Sequence, residues 1–197
     1  DKSLYYCIFI NTYKEGVEGI WKTTFYSTED LVWETSDHAR NEILLDNIDE
    51  NPASEIILKT ATALAVLRYE PSEGKIRLTH NAYGFLKDKK LLLRSVTTAK
   101  GGARARKTLV VSANERDPST GGADVGAGWV LFLEAWDKGI EVVKAVPVDA
   151  GLCEYALRTG DLSGDGKWGI YTTAVRRSGR ANQSYILGWD LEGRKTV

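Results

Sequence analysis

The sequence predicts an all-β fold built of about four repeated antiparallel units. Short apolar segments rich in β-branched and aromatic residues recur along the chain, and glycine- and aspartate-rich turns separate them. Long stretches with helical periodicity are absent from the sequence. An aromatic residue followed by an acid recurs near the end of a predicted strand in each unit. These pairs are Trp33-Glu34, Tyr69-Glu70, Trp136-Asp137 and Trp189-Asp190.

Ten segments are predicted strands because they combine alternating hydrophobicity with strand-forming residues. In chain order they cover residues 5–10, 55–60, 63–69, 75–79, 90–97, 107–113, 129–136, 141–146, 169–175 and 184–189. Residues 36–41 are the one stretch compatible with a short helix.

The four units begin near residues 5, 56, 109 and 170. Their period of roughly 50–60 residues lies in the range of antiparallel propeller blades. We therefore expect residues 1–197 to form a single domain, a β-propeller-like array of about four antiparallel blades. The array is either a closed ring or part of a larger or oligomeric propeller.

Length, composition and net charge limit the classes of protein to which the chain can belong. The chain has 197 residues and a formal net charge of −1, so its overall charge favours neither nucleic acid nor an anionic membrane. No apolar run reaches the length of a membrane span. The sequence has no methionine and begins at Asp1, so we expect a processed chain or a piece of a longer one. Cys7 and Cys153 are either two buried thiols or one disulfide that ties the first unit to the last.

Oxygen-bearing side chains alternate in a loop that precedes the predicted strand at residues 169–175. Asp161, Ser163 and Asp165 are two residues apart, and Gly166 follows them. Ca²⁺ takes six to eight oxygen ligands at flexible geometry, which a short loop with this spacing can supply. The sequence therefore predicts a calcium loop at this position.

A second, weaker copy of the pattern lies upstream. Asn47, Asp49 and Asn51 carry its oxygens, and an apolar strand follows. For both loops the alternative is a metal-free turn, in which the side chains form hydrogen bonds with the backbone. The third unit has no acid between residues 100 and 107, so we expect no metal there.

Both loops resemble the calcium loops of the FG-GAP or VCBS repeat, the repeat type of integrin α-subunits. The resemblance covers most of the chain loosely and these two loops specifically. It implies a β-propeller, usually of seven blades, as in integrins, some fungal lectins and certain bacterial polysaccharide lyases. The family pattern has acids at positions 1, 3, 5 and 9 and a backbone carbonyl at position 7.

The resemblance implies a set of metal ligands in each loop. The late loop offers Asp161, Ser163, Asp165 and the carbonyl of Lys167, and the early loop offers Asn47, Asp49, Asn51, the carbonyl of Ala53 and Glu55. The late loop has Gly169 at position 9, so one carboxylate is missing. The early loop has two amides in place of acids, and Pro52 replaces the glycine after position 5. Fewer carboxylates weaken calcium binding.

Three further residues are candidates for contact with a ligand. Trp168 lies inside the late loop, whereas Trp33, Trp136 and Trp189 recur at similar positions and are expected to pack between blades. Arg104 and Arg106 belong to a basic run between residues 87 and 107. This run is either a solvated strand edge or a patch for an acidic partner such as a uronic-acid polysaccharide.

These observations favour a non-catalytic binding or scaffold module with calcium-stabilised loops. Its expected ligand is a carbohydrate or a protein, and the resemblance implies an extracellular or cell-surface location. One alternative is a polysaccharide-active, lyase-like enzyme on the same fold. Another is a structural subunit, completed by a neighbouring chain in an oligomer. Neither histidine, His38 nor His80, lies in a catalytic motif.

Overall fold

The computed structural model describes residues 7–13, 21–27, 30–35, 41–49, 53–70, 72–73, 75–83, 90–100, 107–116, 127–136, 139–178 and 181–197. These residues form fifteen strands and no helix, and the strands make four antiparallel sheets. The prediction of an all-β fold with antiparallel sheets is therefore confirmed.

Each sheet is a run of strands that are close together in sequence. Sheet 1 contains β1 (Cys7–Tyr13), β2 (Trp21–Ser27) and β3 (Asp30–Thr35). Sheet 2 contains β4 (Glu42–Asp46), β5 (Glu55–Lys59), β6 (Ala63–Glu70) and β7 (Lys75–Tyr83). Sheet 3 contains β8 (Leu91–Lys100), β9 (Lys107–Glu115), β10 (Gly128–Trp136) and β11 (Gly139–Val148). In these three sheets every strand pairs with its neighbour in sequence.

Sheet 4 contains β12 (Gly151–Leu152), β13 (Arg158–Gly160), β14 (Gly169–Ser178) and β15 (Ala181–Asp190). Both β12 and β13 pair with β14, and β15 pairs with β14 along its whole length. Since β15 occupies the opposite side, the two short strands together act as one interrupted first strand.

Neighbouring sheets pack through apolar faces. Between sheets 2 and 3 the core includes the buried side chains of Ile57, Leu64, Leu93, Leu109 and Leu131. Between sheets 3 and 4 it includes Val110, Val130, Phe132, Leu157 and Ile170. Sheet 3 is therefore covered on both faces, and sheets 2, 3 and 4 follow one another in space as they do in sequence.

The predicted strands all overlap observed ones, but the unit boundaries differ. The predicted starts at residues 56, 109 and 170 fall in β5, β9 and β14, because a further strand precedes each of these in its sheet. Tyr69 and Trp136 lie at the ends of the third strands of sheets 2 and 3, as does Trp189 in sheet 4. Trp33 also lies on the third strand of its sheet, β3, but two residues before the end of that strand.

Three further predictions concern a short helix, the cysteines and a membrane span. The helix was expected at residues 36–41, of which residues 36–40 are outside the described ones and Asn41 has no regular structure. Cys153 is a half-buried free thiol. The described residues hold no helix long and apolar enough to cross a membrane.

Candidate functional site

The late loop, residues 161–168, connects β13 to β14. The two strands form a hairpin in which Gly160 pairs with Gly169, so the loop projects from the end of the sheet. Gly164 and Gly166 have φ values of 73° and 81°, which lie in the left-handed region. Glycine adopts this region without strain, and other residues rarely do. The two glycines therefore permit the tight curvature of the loop.

Hydrogen bonds gather the side-chain oxygens of the loop on its inner side. Asp161 accepts bonds from the N–H groups of Gly164 and Gly166, each at 2.7 Å. Asp165 accepts a bond from the N–H of Lys167 at 3.0 Å. The hydroxyl of Ser163 lies 2.8 Å from Asp165 Oδ1 and 3.3 Å from Asp161 Oδ1. Three predicted ligands therefore converge on one point of the loop.

These bonds change the acidity of the loop. The hydroxyl of Ser163 and then the N–H of Lys167 stabilise the charged carboxylate of Asp165 and lower its pKa to about 2. The ammonium group of Lys167 lies 3.2 Å from Asp165 Oδ2. At neutral pH Asp165 is therefore ionised and offers a hard oxygen donor.

The donor set of the late loop fits a hard cation of modest affinity. Two carboxylates and one hydroxyl are the oxygen ligands that Ca²⁺ prefers, and the carbonyl of Lys167 is the fourth predicted ligand. Within the described residues, no three His, Cys, Asp or Glu side chains are grouped so that they could hold a metal ion. With only two carboxylates, the loop matches the weak end of the calcium affinity range.

A groove of about 890 Å³ lies between the late loop and residues 190–197. Trp168 lines it with 46% of its surface exposed, and Tyr171 lines it from β14. A Cβ atom at Gly169 would lie 2.5 Å from the Tyr171 hydroxyl, and one at Gly188 would lie 3.0 Å from its ring. The two glycines therefore make room for the Tyr171 ring beside the groove.

Charged side chains surround these two aromatic residues. Lys100 and Lys167 line the groove and are exposed to solvent. Arg194 also lines it, but its guanidinium already binds Asp190 at 2.5 Å and Glu192 at 2.6 Å. The groove thus combines an exposed indole with three basic side chains and three acidic ones, Asp165, Asp190 and Glu192.

The early loop differs because an arginine lies between its carboxylates. Arg68, on β6, binds the carboxylate of Asp49 and lies 3.2 Å from Glu55 Oε1. Glu55 is 1% exposed, and its other oxygen accepts a bond from the N–H of Ile48 at 2.9 Å. Burial raises the pKa of Glu55, although the hydrogen bond from Ile48 lowers it in part. A guanidinium thus supplies positive charge beside two of the predicted ligands, and the metal site in the early loop stays a prediction.

The structure gives less information about the other predicted metal ligands of the early loop. Asn47 donates its backbone N–H to Asp46 at 2.9 Å, and Ala53 lies in the turn before β5. Asn51 is outside the described residues, as are Arg104 and Arg106. The prediction of ligand contact by the two arginines stays a prediction.

Two members of the basic run that the structure describes, Arg94 and Lys107, pair with acids of other sheets. Arg94 is buried at a β-bulge of β8, where its guanidinium lies 2.6 Å from Glu154 Oε1. Lys107 binds Asp46. Burial raises the pKa of Asp46, but its bonds from Lys107 and Thr98 outweigh this and lower the pKa overall. Two cations of the run therefore hold sheets together rather than face a ligand.

The sequence reasoning missed Arg68 and Tyr171. Arg68 is a charged residue in the otherwise apolar strand β6. A charge at such a position indicates that an acid lies opposite it in the interior. Tyr171 gave no such signal, because aromatic residues are ordinary in strands.

No model of a known protein family matches the chain, and no curated protein matches it significantly. The resemblance of the two loops to FG-GAP or VCBS repeats therefore rests on the motif residues alone.

Proposed function

We propose that this protein is a non-catalytic binding module whose groove beside the late loop takes a carbohydrate, with Ca²⁺ bound to the loop. One observation carries the proposal: the oxygens of Asp161, Ser163 and Asp165 converge in a loop that also places an exposed Trp168 beside a groove. An extracellular or cell-surface location belongs to the same proposal.

The architecture proposed for the module is a propeller-like array. Four antiparallel sheets in chain order support it, of which sheets 2, 3 and 4 pack on one another through apolar faces. In such an array the loops between strands gather at the ends of the blades, where a rigid scaffold presents them to ligands.

In this proposal Ca²⁺ binds the late loop alone and holds it in one conformation. The ion neutralises Asp161 and Asp165 and fixes the position of Trp168. The early loop needs no ion, because Arg68 already neutralises its carboxylates.

The proposed ligand is an acidic carbohydrate. A sugar ring has an apolar face that packs on an indole, and Trp168 offers half of its surface for this contact. Lys100 supplies positive charge, and Lys167 adds to it once Ca²⁺ neutralises its partner Asp165, which suits the carboxylates of uronic-acid units.

The calcium part of the proposal is tested by unfolding the protein in excess Ca²⁺ and in EDTA. A ligand that binds only the folded state stabilises it by about 2.7 kcal/mol at a hundredfold excess over Kd. We expect this gain in the parent and its loss in an Asp161→Ala/Asp165→Ala variant. Asp149→Ala, which changes an exposed aspartate outside the loop, is the control and keeps the gain. If the parent protein is equally stable in Ca²⁺ and in EDTA, the proposal is contradicted.

The carbohydrate part is tested by calorimetric titration with oligogalacturonate and with neutral dextran oligomers. We expect binding of the acidic oligomer, and a loss of at least about tenfold, or 1.4 kcal/mol, in Trp168→Ala. Tyr155→Ala removes another exposed aromatic residue, which does not line the groove, and is expected to bind like the parent. Binding that survives in Trp168→Ala would place the sugar elsewhere.

A further inference from the structure

Strand β15 has one edge that the described residues cover only in part. In sheets 2 and 3, a fourth strand pairs with the third strand along most of its length. In sheet 4, β15 is the third strand, and on the side away from β14 the described residues pair with its C-terminal end alone. There Trp189 forms an isolated bridge with Lys195.

The backbone bonds at this end have the pattern of an incipient fourth strand. Gly188 donates its N–H to Val197 O at 3.1 Å and accepts the N–H of Thr196 at 2.8 Å. Asp190 donates its N–H to Arg194 O at 2.9 Å. Gly188 therefore directs its peptide groups away from β14.

Antiparallel pairing extends this orientation along the strand. Backbone groups of alternate residues point to the same side, and β14 and β15 pair without a register shift. Ile186 and Ser184 therefore direct their N–H and C=O groups to the same open edge as Gly188. Both residues are exposed, and 60% of the surface of Ile186 is accessible. An open edge of this kind is a template for another strand.

A groove of about 500 Å³ runs beside the open edge. Val146 and Val148 at the end of β11 line one side, and Tyr185 and Leu187 of β15 line the other. A strand added to β15 would point every second side chain into this groove. Three charged residues, Asp149, Arg176 and Lys195, also line the groove.

We propose that the edge of β15 binds an extended segment of another polypeptide, antiparallel to β15, with apolar side chains at alternate positions. The pairing of residues 194–197 with β15 is the first part of this interface, and the added segment continues it. The groove is walled by residues 146–150 on one side and by Gly193, Lys195 and Val197 on the other, which favours a single extended chain over the folded edge of a second copy. Main-chain bonds supply affinity in this mode, and the groove supplies specificity.

The probe is a capped synthetic peptide with the sequence of β11, residues 139–148, which is the fourth strand of the neighbouring sheet. Amide hydrogen exchange of Ser184 and Ile186 is measured with and without it. We expect saturable slowing of at least tenfold at both amides. A peptide of the same composition in scrambled order is the control and gives no slowing.

Two variants at one position separate strand addition from general folding effects. Ile186→Pro removes an outward N–H that β14 does not use, so the fold is retained and peptide binding is lost. Ile186→Ala keeps the N–H and retains binding. Equal binding to both variants, or no slowing with the peptide, overturns the proposal. The proposal is also overturned if the protein dimerises without the peptide and Ile186→Pro abolishes the dimer. In that case the edge is assigned to a second copy.

Discussion

The side-chain amide of Asn114 forms both backbone hydrogen bonds of Leu152. Asn114 Nδ2 donates to Leu152 O at 3.0 Å, and Leu152 N–H donates to Asn114 Oδ1 at 2.8 Å. Both residues are buried, and they lie on β9 and β12, in adjacent sheets. Gly128 pairs with Asn114 in the register of sheet 3. A Cβ atom at Gly128 would lie 2.5 Å from Ala150 O, so the close approach of β12 requires a glycine there.

Asn114→Ala is expected to destabilise the protein by about 2–4 kcal/mol, because it leaves a buried N–H and a buried C=O without partners. Chemical denaturation measures the change. Asn182→Ala, at an exposed position of β15, is the control and is expected to cost less than about 0.5 kcal/mol. A loss below about 1 kcal/mol for Asn114→Ala would show that the amide does not link the sheets.

Alanine substitution of the late-loop glycines separates backbone conformation from packing. A Cβ atom at Gly164 or Gly166 would meet no atom within 4 Å, yet both residues have positive φ. Each alanine is therefore expected to cost about 1–2 kcal/mol through strain alone. Gly160 also has open space around it but no positive φ, so Gly160→Ala is the matched control. Equal costs at all three positions would contradict the left-handed conformation.

Asp165 makes stability depend on acid pH. Its pKa is about 2 in the folded protein and near 3.8 in the unfolded chain, so folding favours the charged form. The stabilisation is complete above about pH 4 and is lost as the pH falls towards 2. Denaturation curves in EDTA across this window measure it. Asp165→Asn is expected to remove this part of the pH dependence, and an unchanged profile in the variant would exclude Asp165 as its source.

Arg68→Met is expected to destabilise the protein by roughly 2–4 kcal/mol, because it leaves the buried carboxylate of Glu55 without its cation. The loss is expected to shrink at acid pH, where Glu55 takes up a proton. Arg77→Met removes an exposed arginine paired with Glu73 and is the control, with an expected cost below about 1 kcal/mol. Similar losses for the two variants would show that Arg68 is an ordinary surface cation.

The strands and the late loop were predictable because their signals are local. Alternation within a strand and the spacing of Asp161, Ser163 and Asp165 can both be read within a dozen residues. Five observed strands, β2, β3, β4, β12 and β13, were not among the ten predicted segments. The strands β12 and β13 have only two and three residues, too few to show a period.

The parts of the site that escaped prediction depend on distant residues. Arg68 lies thirteen residues from Glu55 and nineteen from Asp49, so its charge meets the early loop only after β5 and β6 pair. The groove beside Trp168 exists because residues 190–197 fold back towards the late loop. Neither contact follows from periodicity.

In sheets 1 to 3 each strand hydrogen-bonds to its neighbour in sequence, and this connectivity has a kinetic consequence. Hairpins close over short loops, so each sheet can assemble early and independently. The slow event is then the docking of one finished sheet on the next. Sheet 3, which is covered on both faces, is the last to lose its protected amides when the molecule opens.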